Sequence, residues 1–206
     1  MKFSKIKNIN HLDFEKAMRI YETSFPLNER QSKDTIKKRI KKNKYIMYIG
    51  CIKNKVVFMA LIYPLKNTDF ILLDYMATEE NFRNQGIGTC FIKDIIKKIE
   101  PNYLILEVEN PKYGKNKEKR KKRVRFYKNL GAKEMKNTTY YIPPLSGKKP
   151  TNMKLMIMPN YNQGKIENCL VKKLIVQIYK ELYNRDGKDK ILNSFINNIK
   201  NPVELI

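Results

Sequence analysis

The chain contains one histidine, His11, and no tryptophan. A single histidine removes the common His-centred catalytic triads and leaves Tyr, Asp, Glu and Lys as the groups able to move a proton. The three cysteines, Cys51, Cys90 and Cys169, lie far apart and form no C-x-x-C pair. Neither a disulfide framework nor a zinc site follows from them, and no metal is expected. Acidic residues are scarce: 20 Asp and Glu stand against 43 Lys and Arg, for a formal charge of +23. That balance attracts phosphate-rich partners. Ile, Asn and Lys are abundant throughout, however, so much of the lysine fills solvated faces, and nucleic acid is not the expected partner. The longest uncharged apolar run, Val56 to Leu65, falls far short of a bilayer's width, and Met1 to Lys16 carries charges where a signal peptide is apolar. A soluble, cytoplasmic chain with no membrane partner is the expectation. With 206 residues, 42% of them hydrophobic, and only 8 Gly, the sequence is neither disordered nor fibrous.

Apolar spacing then gives the elements. Asp13 is placed to cap a helix whose Phe14, Ala17, Met18 and Tyr21 share one face and which ends near Pro26. Ser32 to Lys44 reads as a second, very basic helix anchored by Ile36 and Ile40, with Lys37, Lys38, Arg39, Lys41 and Lys42 around them and most of those lysines in water. Three β-rich runs follow, Tyr45 to Ile52, Val56 to Tyr63 and Phe70 to Ala77, as an antiparallel meander. Gly86 to Ile99 returns to helical spacing, Pro101 stops it, and Tyr103 to Val108 is a strand. A strand, helix and strand in that order predict a parallel crossover. Arg120 to Leu130 reads as a short helix closed by Gly131, followed by strand-like runs at Thr138 to Ile142 and Lys154 to Met158. From Lys165 a stripe of Ile166, Leu170, Leu174, Ile178 and Leu182 is helical, with a second segment from Lys190 to Ile199. The boundary of this added tail is set at residues 160 to 164.

The segment Leu73 to Thr89, LDYMATEENFRNQGIGT, ends a strand and opens an amphipathic helix through two glycines. A helix start offers unpaired backbone N–H groups and the positive end of the macrodipole, and Gly86 and Gly88 have no side chain to obstruct a diphosphate. Arg83 adds positive charge. A plain surface turn is the competing reading for any lone G-x-G. A dinucleotide fold is a second competitor, since Glu107 and Glu109 follow Gly88 at a suitable distance. Phe91, however, fills its third glycine position, and Glu79 to Arg83 separate strand from loop. A Walker loop lacks its Lys-Ser or Lys-Thr.

Arg83-Asn84-Gln85-Gly86-Ile87-Gly88 resembles the R/Q-x-x-G-x-G/A acyl-CoA loop of the GNAT N-acetyltransferase superfamily. Met76-Ala77-Thr78 looks like the strand end before that loop, and Phe126-Tyr127-Lys128-Asn129-Leu130-Gly131-Ala132 is similar to the later F/L-Y-x-x-L-G-F signature. The resemblance implies an α+β GNAT fold, a mixed and mainly antiparallel sheet with helices on both faces, over residues 1–160, and leaves residues 161–206 as a C-terminal helical extension. It also implies acetyl transfer from acetyl-CoA, as cosubstrate, to the primary amine of a small molecule or peptide. Met76, Ala77, Thr78, Arg83, Asn84, Gln85, Gly86, Ile87, Gly88 and Thr89 would then hold the cosubstrate, in an opening between two parallel strands. Two departures stand out: Arg120 occupies a position where many members have Asn, and the connection from Lys112 to Arg125 is long and basic. A non-catalytic basic module that binds CoA or nucleic acid, and a dinucleotide-dependent enzyme, are the alternatives. A homodimer is left open.

Acyl transfer to an amine requires a neutral nucleophile, a place for charge on the carbonyl oxygen, and a proton for the leaving thiolate. The resemblance assigns the acid role to Tyr127, whose helix face is shared with Val124 and Leu130. Glu107 is the first choice of base and Asp74 the second, with Glu109 on the same strand parity as Glu107. Any one of these carboxylates could instead pair with nearby cations.

Overall fold

Val56 to Tyr63 are buried at every position, a run that a strand sustains only when both its faces are covered. They form most of β3 (Lys55–Pro64), which lies between β2 (Ile46–Ile52) and β4 (Phe70–Thr78) in an antiparallel meander edged by β1 (Phe3–Lys5). The computed structural model describes residues 1–145, 149–159, 161 and 164–206, the side chain of Asn28 apart. The chain divides into two compact units: residues 1–64 with 71–100, and residues 65–70 with 101–206. It is α+β, with mostly antiparallel strand pairing.

The first unit holds that meander and three helices, α1 (Leu12–Ser24), α2 (Lys33–Lys41) and α3 (Ile87–Ile99). Lys53 and Asn54 turn β2 into β3 with φ of +45° and +61°, the left-handed pair that a two-residue hairpin needs. Phe91 of α3 packs on Phe3, Tyr48 and Phe58, with ring centroids 5.2, 5.7 and 4.9 Å away. Such bulk is incompatible with the close helix approach that a third glycine permits. The cap of α1 differs from expectation: His11, not Asp13, is the N-cap, and its Nδ1 accepts from the Asp13 amide at 3.2 Å. Arg39 of α2 is buried, 7% exposed.

The second unit is built on β8 (Thr151–Met158), which pairs antiparallel with β5 (Tyr103–Glu109) and also with the short strands β6 (Lys133–Glu134) and β7 (Tyr140–Ile142). Helix α4 (Lys117–Asn129) starts three residues before Arg120 and ends as expected, with Gly131 at φ +90°. Ile166 belongs to a two-stranded ribbon, β9 (Lys165–Ile166) with β10 (Val203–Glu204), rather than to the helical stripe that begins with α5 (Asn168–Leu182). A short helix, α6 (Lys190–Phe195), lies between α5 and β10. The C-terminus returns to β6, where Glu134 and Ile206 exchange backbone hydrogen bonds of 2.8 and 3.0 Å. The expected tail boundary falls partly on residues 160, 162 and 163, outside the described residues. No described helix is long and apolar enough to cross a membrane.

Candidate functional site

The glycine loop lies in the first unit, between β4 and α3. Gly86 is the N-cap of α3 at φ +76°, and the helix's first i to i−4 bond is Cys90 N–H to the Gly86 carbonyl at 2.9 Å. The amides of Ile87, Gly88 and Thr89 thus have no partner within the helix, and no acidic residue occupies its first turn. A Cβ built on Gly86 would meet nothing within 4 Å, so glycine is required there by backbone conformation and the space before the loop is open. Asn84 is also left-handed, at φ +62°. Arg83 ties the loop to the strand end through Nε to the Thr78 carbonyl at 3.1 Å, and Gln85 Nε2 donates to the Asn81 carbonyl at 3.3 Å. Met76, Ala77 and Thr78 pair with Ala60, Met59 and Phe58 of β3, which fixes the strand end.

Asp74 occupies a bulge. Tyr75 pairs with Leu61 and Leu73 with Ile62, so Asp74 has no partner on β3. The carboxylate is instead held by a side-chain chain: Arg39 donates to the Tyr45 hydroxyl at 3.0 Å, and the Tyr45 hydroxyl donates to Asp74 Oδ2. Desolvation pushes the Asp74 pKa up to about 6, against the lowering effect of the Tyr45 bond and the Arg39 charge. Burial, followed by the Asp74 charge, also raises the Tyr45 phenol, which stays a donor.

The second unit holds the other expected residues. Glu107 accepts hydrogen bonds from two tyrosines, Tyr140 at Oε1 and Tyr183 at Oε2, the latter at 2.9 Å. Glu109 is taken up differently: Arg120 and Arg123 each hold one of its oxygens at 2.7 Å. Arg120 also donates to the Tyr113 carbonyl at 2.6 Å, and its guanidinium fills the space that a Cβ on Gly114 would need. Arg120 thus has a structural partner set, and Glu109 is a paired carboxylate. Tyr127 is 8% exposed on α4, and burial raises its pKa to about 12 despite the nearby Arg123 charge.

Among the described residues, tyrosine hydroxyls hold Asp74 in the first unit and Glu107 in the second. Arg39, Tyr45, Tyr140 and Tyr183 were not read from the sequence as site residues. The three tyrosines contact their carboxylates over 29 to 76 positions of chain, a separation that leaves no local signal apart from the aromatic richness of the segments that carry them, and Arg39 bonds the Tyr45 hydroxyl. No group of three or more possible metal ligands occurs among the described residues.

No protein-family model matches the sequence, and no curated protein matches it. Solved structures do. A protein described as a GNAT-family acetyltransferase from Bacteroides thetaiotaomicron matches with a TM-score of 0.77 at 19% identity, over 90% of this chain and 100% of that one. The ribosomal-protein-S18-alanine N-acetyltransferase of Escherichia coli matches at 0.56 and 20% identity, over 78% and 97% of the two chains. An aminoglycoside 6′-N-acetyltransferase complexed with coenzyme A matches at 0.56 and 14%, over 79% and 100%. The chain has the GNAT fold.

Proposed function

We propose that the chain is an N-acetyltransferase that moves the acetyl group of acetyl-CoA to a primary amine of a small molecule or peptide by direct attack. The observation that carries this reading is the glycine-opened start of α3 at the end of β4, within a GNAT fold. The residues there fit a diphosphate: three helix-start amides, an open approach at Gly86, the charge of Arg83, and no carboxylate in the first turn. Bound acetyl-CoA supplies an activated thioester. Asn84 to Thr89 grip its phosphates, and the backbone of Met76 to Thr78 lines its arm.

Of the two tyrosine-held carboxylates, Asp74 is the proton acceptor. At a pKa of about 6 it is about nine-tenths ionised at pH 7, and it lies nearer the working pH than an ordinary aspartate. Glu107 holds the incoming amine by charge, and Tyr127 serves the departing sulfur. A phenol near 12 is a poor donor of a whole proton to a thiol near 8.5, an uphill step of about 5 kcal/mol. Its contribution is a donated hydrogen bond that stabilises the negative sulfur, with solvent completing the protonation.

Two measurements test this. Acetyl-CoA at one hundred times its Kd should stabilise the fold by about 2.7 kcal/mol, with NADH and oligonucleotide giving none. Thiol release across amine classes should then find an acceptor, and Tyr127→Phe should lower kcat about 10- to 100-fold while leaving acetyl-CoA affinity nearly unchanged. Stabilisation by NADH alone, or equal loss of turnover and affinity in the variant, would reject the assignment.

A further inference from the structure

Glu107 is gripped by residues that follow it at long range. Tyr140 comes from β7, and Tyr183 comes from the residue that closes α5, inside the segment expected only as a helical extension. The two hydroxyls take different carboxylate oxygens, so the plane of the carboxylate is fixed as well as its position. The hydroxyls are themselves fixed by ring packing. Tyr140 meets Phe195 at 5.8 Å and 90°, Tyr183 meets Tyr179 at 5.9 Å and 79°, and Tyr179 meets both Tyr140 and Phe195. Tyr179 is anchored in turn through its hydroxyl to the Tyr141 carbonyl. All four rings are buried, Tyr183 being the most exposed at 9%. An apolar stripe alone would have made α5 a covering helix. Its Val171, Leu174, Ile175, Ile178 and Leu182 do that work, while the polar atom at its end is directed at a carboxylate on β5.

We infer that α5 belongs to the catalytic apparatus, with Tyr183 and Tyr140 acting as positioning residues that orient the Glu107 carboxylate toward the amine. The inference rests on the acetyltransferase reading. Replacing Tyr183 by Phe keeps the ring and its packing and removes one of the hydrogen bonds that orient the carboxylate. The expected result is a fall of about tenfold in kcat/KM for the amine, with KM for acetyl-CoA unchanged.

The experiment is a double-mutant cycle of Tyr183→Phe and Glu107→Gln, with Tyr140→Phe as a second arm. Thiol release from acetyl-CoA is followed with spermidine, kanamycin and a peptide bearing a free N-terminal alanine, and urea unfolding is measured on the same proteins. If the tyrosine acts through the carboxylate, Tyr183→Phe costs turnover in the parent and almost none in the Glu107→Gln background. The same losses in both backgrounds, or a loss that merely tracks unfolding free energy, would make the tyrosine structural and overturn the inference. A parent protein that binds no acetyl-CoA and turns over none of the three amines would instead reject the acetyltransferase reading and take this inference with it. Turnover by the parent with additive variants rejects the inference alone.

Discussion

Asp74 is the residue at which stability and the proposed chemistry pull in opposite directions. A carboxyl whose pKa rises from 3.8 to about 6 on folding binds its proton more tightly in the native state than in the unfolded one. Between those two values the native state therefore holds more protons, and stability must fall as pH rises through the window. The cost is greatest above pH 6, where the buried carboxylate is charged, and it reaches about 3 kcal/mol for a shift of this size. Asp74→Asn removes the titration. The difference in unfolding free energy between variant and parent should thus grow in the variant's favour from pH 4 to pH 6 and level off above it. Urea titrations at pH 4, 5, 6 and 7 measure it; a flat difference would show that folding leaves the Asp74 pKa unchanged, and a shrinking one that folding lowers it. In the same variant, the acid limb of kcat/KM near pH 6 should disappear if Asp74 is the base. A protein that accepts a charged, desolvated aspartate at neutral pH gives up stability at that residue, and the Arg39–Tyr45 pair is what limits the loss.

At the scale of elements, the start of α3 carries the proposed function on backbone geometry alone. Gly86 sits at φ +76° with open space before it, so Gly86→Ala introduces no clash and only the left-handed penalty of about 1–2 kcal/mol. That is expected to lower Tm by a few degrees and to weaken acetyl-CoA binding further as the loop relaxes. Differential scanning calorimetry with and without acetyl-CoA separates the two, and an unchanged ligand-induced shift would show that the loop does not hold the cosubstrate. This element was legible because its signal is local: a strand end, two glycines and the opening of a helix within seventeen residues. The meander and α3 were equally legible from apolar period. The short strands β1, β6, β9 and β10, of two or three residues each, were not, since so few positions set no period and only pairing defines them. The early start of α4 was missed because Lys117 to Lys119 carry no apolar face. The tyrosine partners of Asp74 and Glu107 lay out of reach for a different reason: each bond joins positions far apart in the chain, and a buried tyrosine in sequence does not say where its hydroxyl points.

For the whole molecule, the governing quantity is a formal charge of +23 set against the proposed cosubstrate, acetyl-CoA, which carries three phosphate groups. Some of the cations are locally answered, as in the Arg120 and Arg123 pairs to Glu109 or Lys33 to Glu15, but acidic residues are outnumbered by more than two to one. The surplus produces a long-range field, and such a field acts on encounter rates more than on the lifetime of the docked state. Screening length falls from about 30 Å at 0.01 M salt to about 3 Å at 1 M, so the field's reach can be tuned without touching a residue. Stopped-flow association of acetyl-CoA is accordingly expected to slow by about tenfold or more between 20 mM and 500 mM salt, with dissociation changing far less. Acetyl-pantetheine, which has the same thioester and no phosphates, supplies the control, and its association should be nearly indifferent to salt. If the two thioesters respond alike, the charge is only a solvated coat that does not steer the cosubstrate. If only the phosphorylated one slows, the lysine excess acts on the chemistry from a distance, by delivering the thioester to the loop at Gly86.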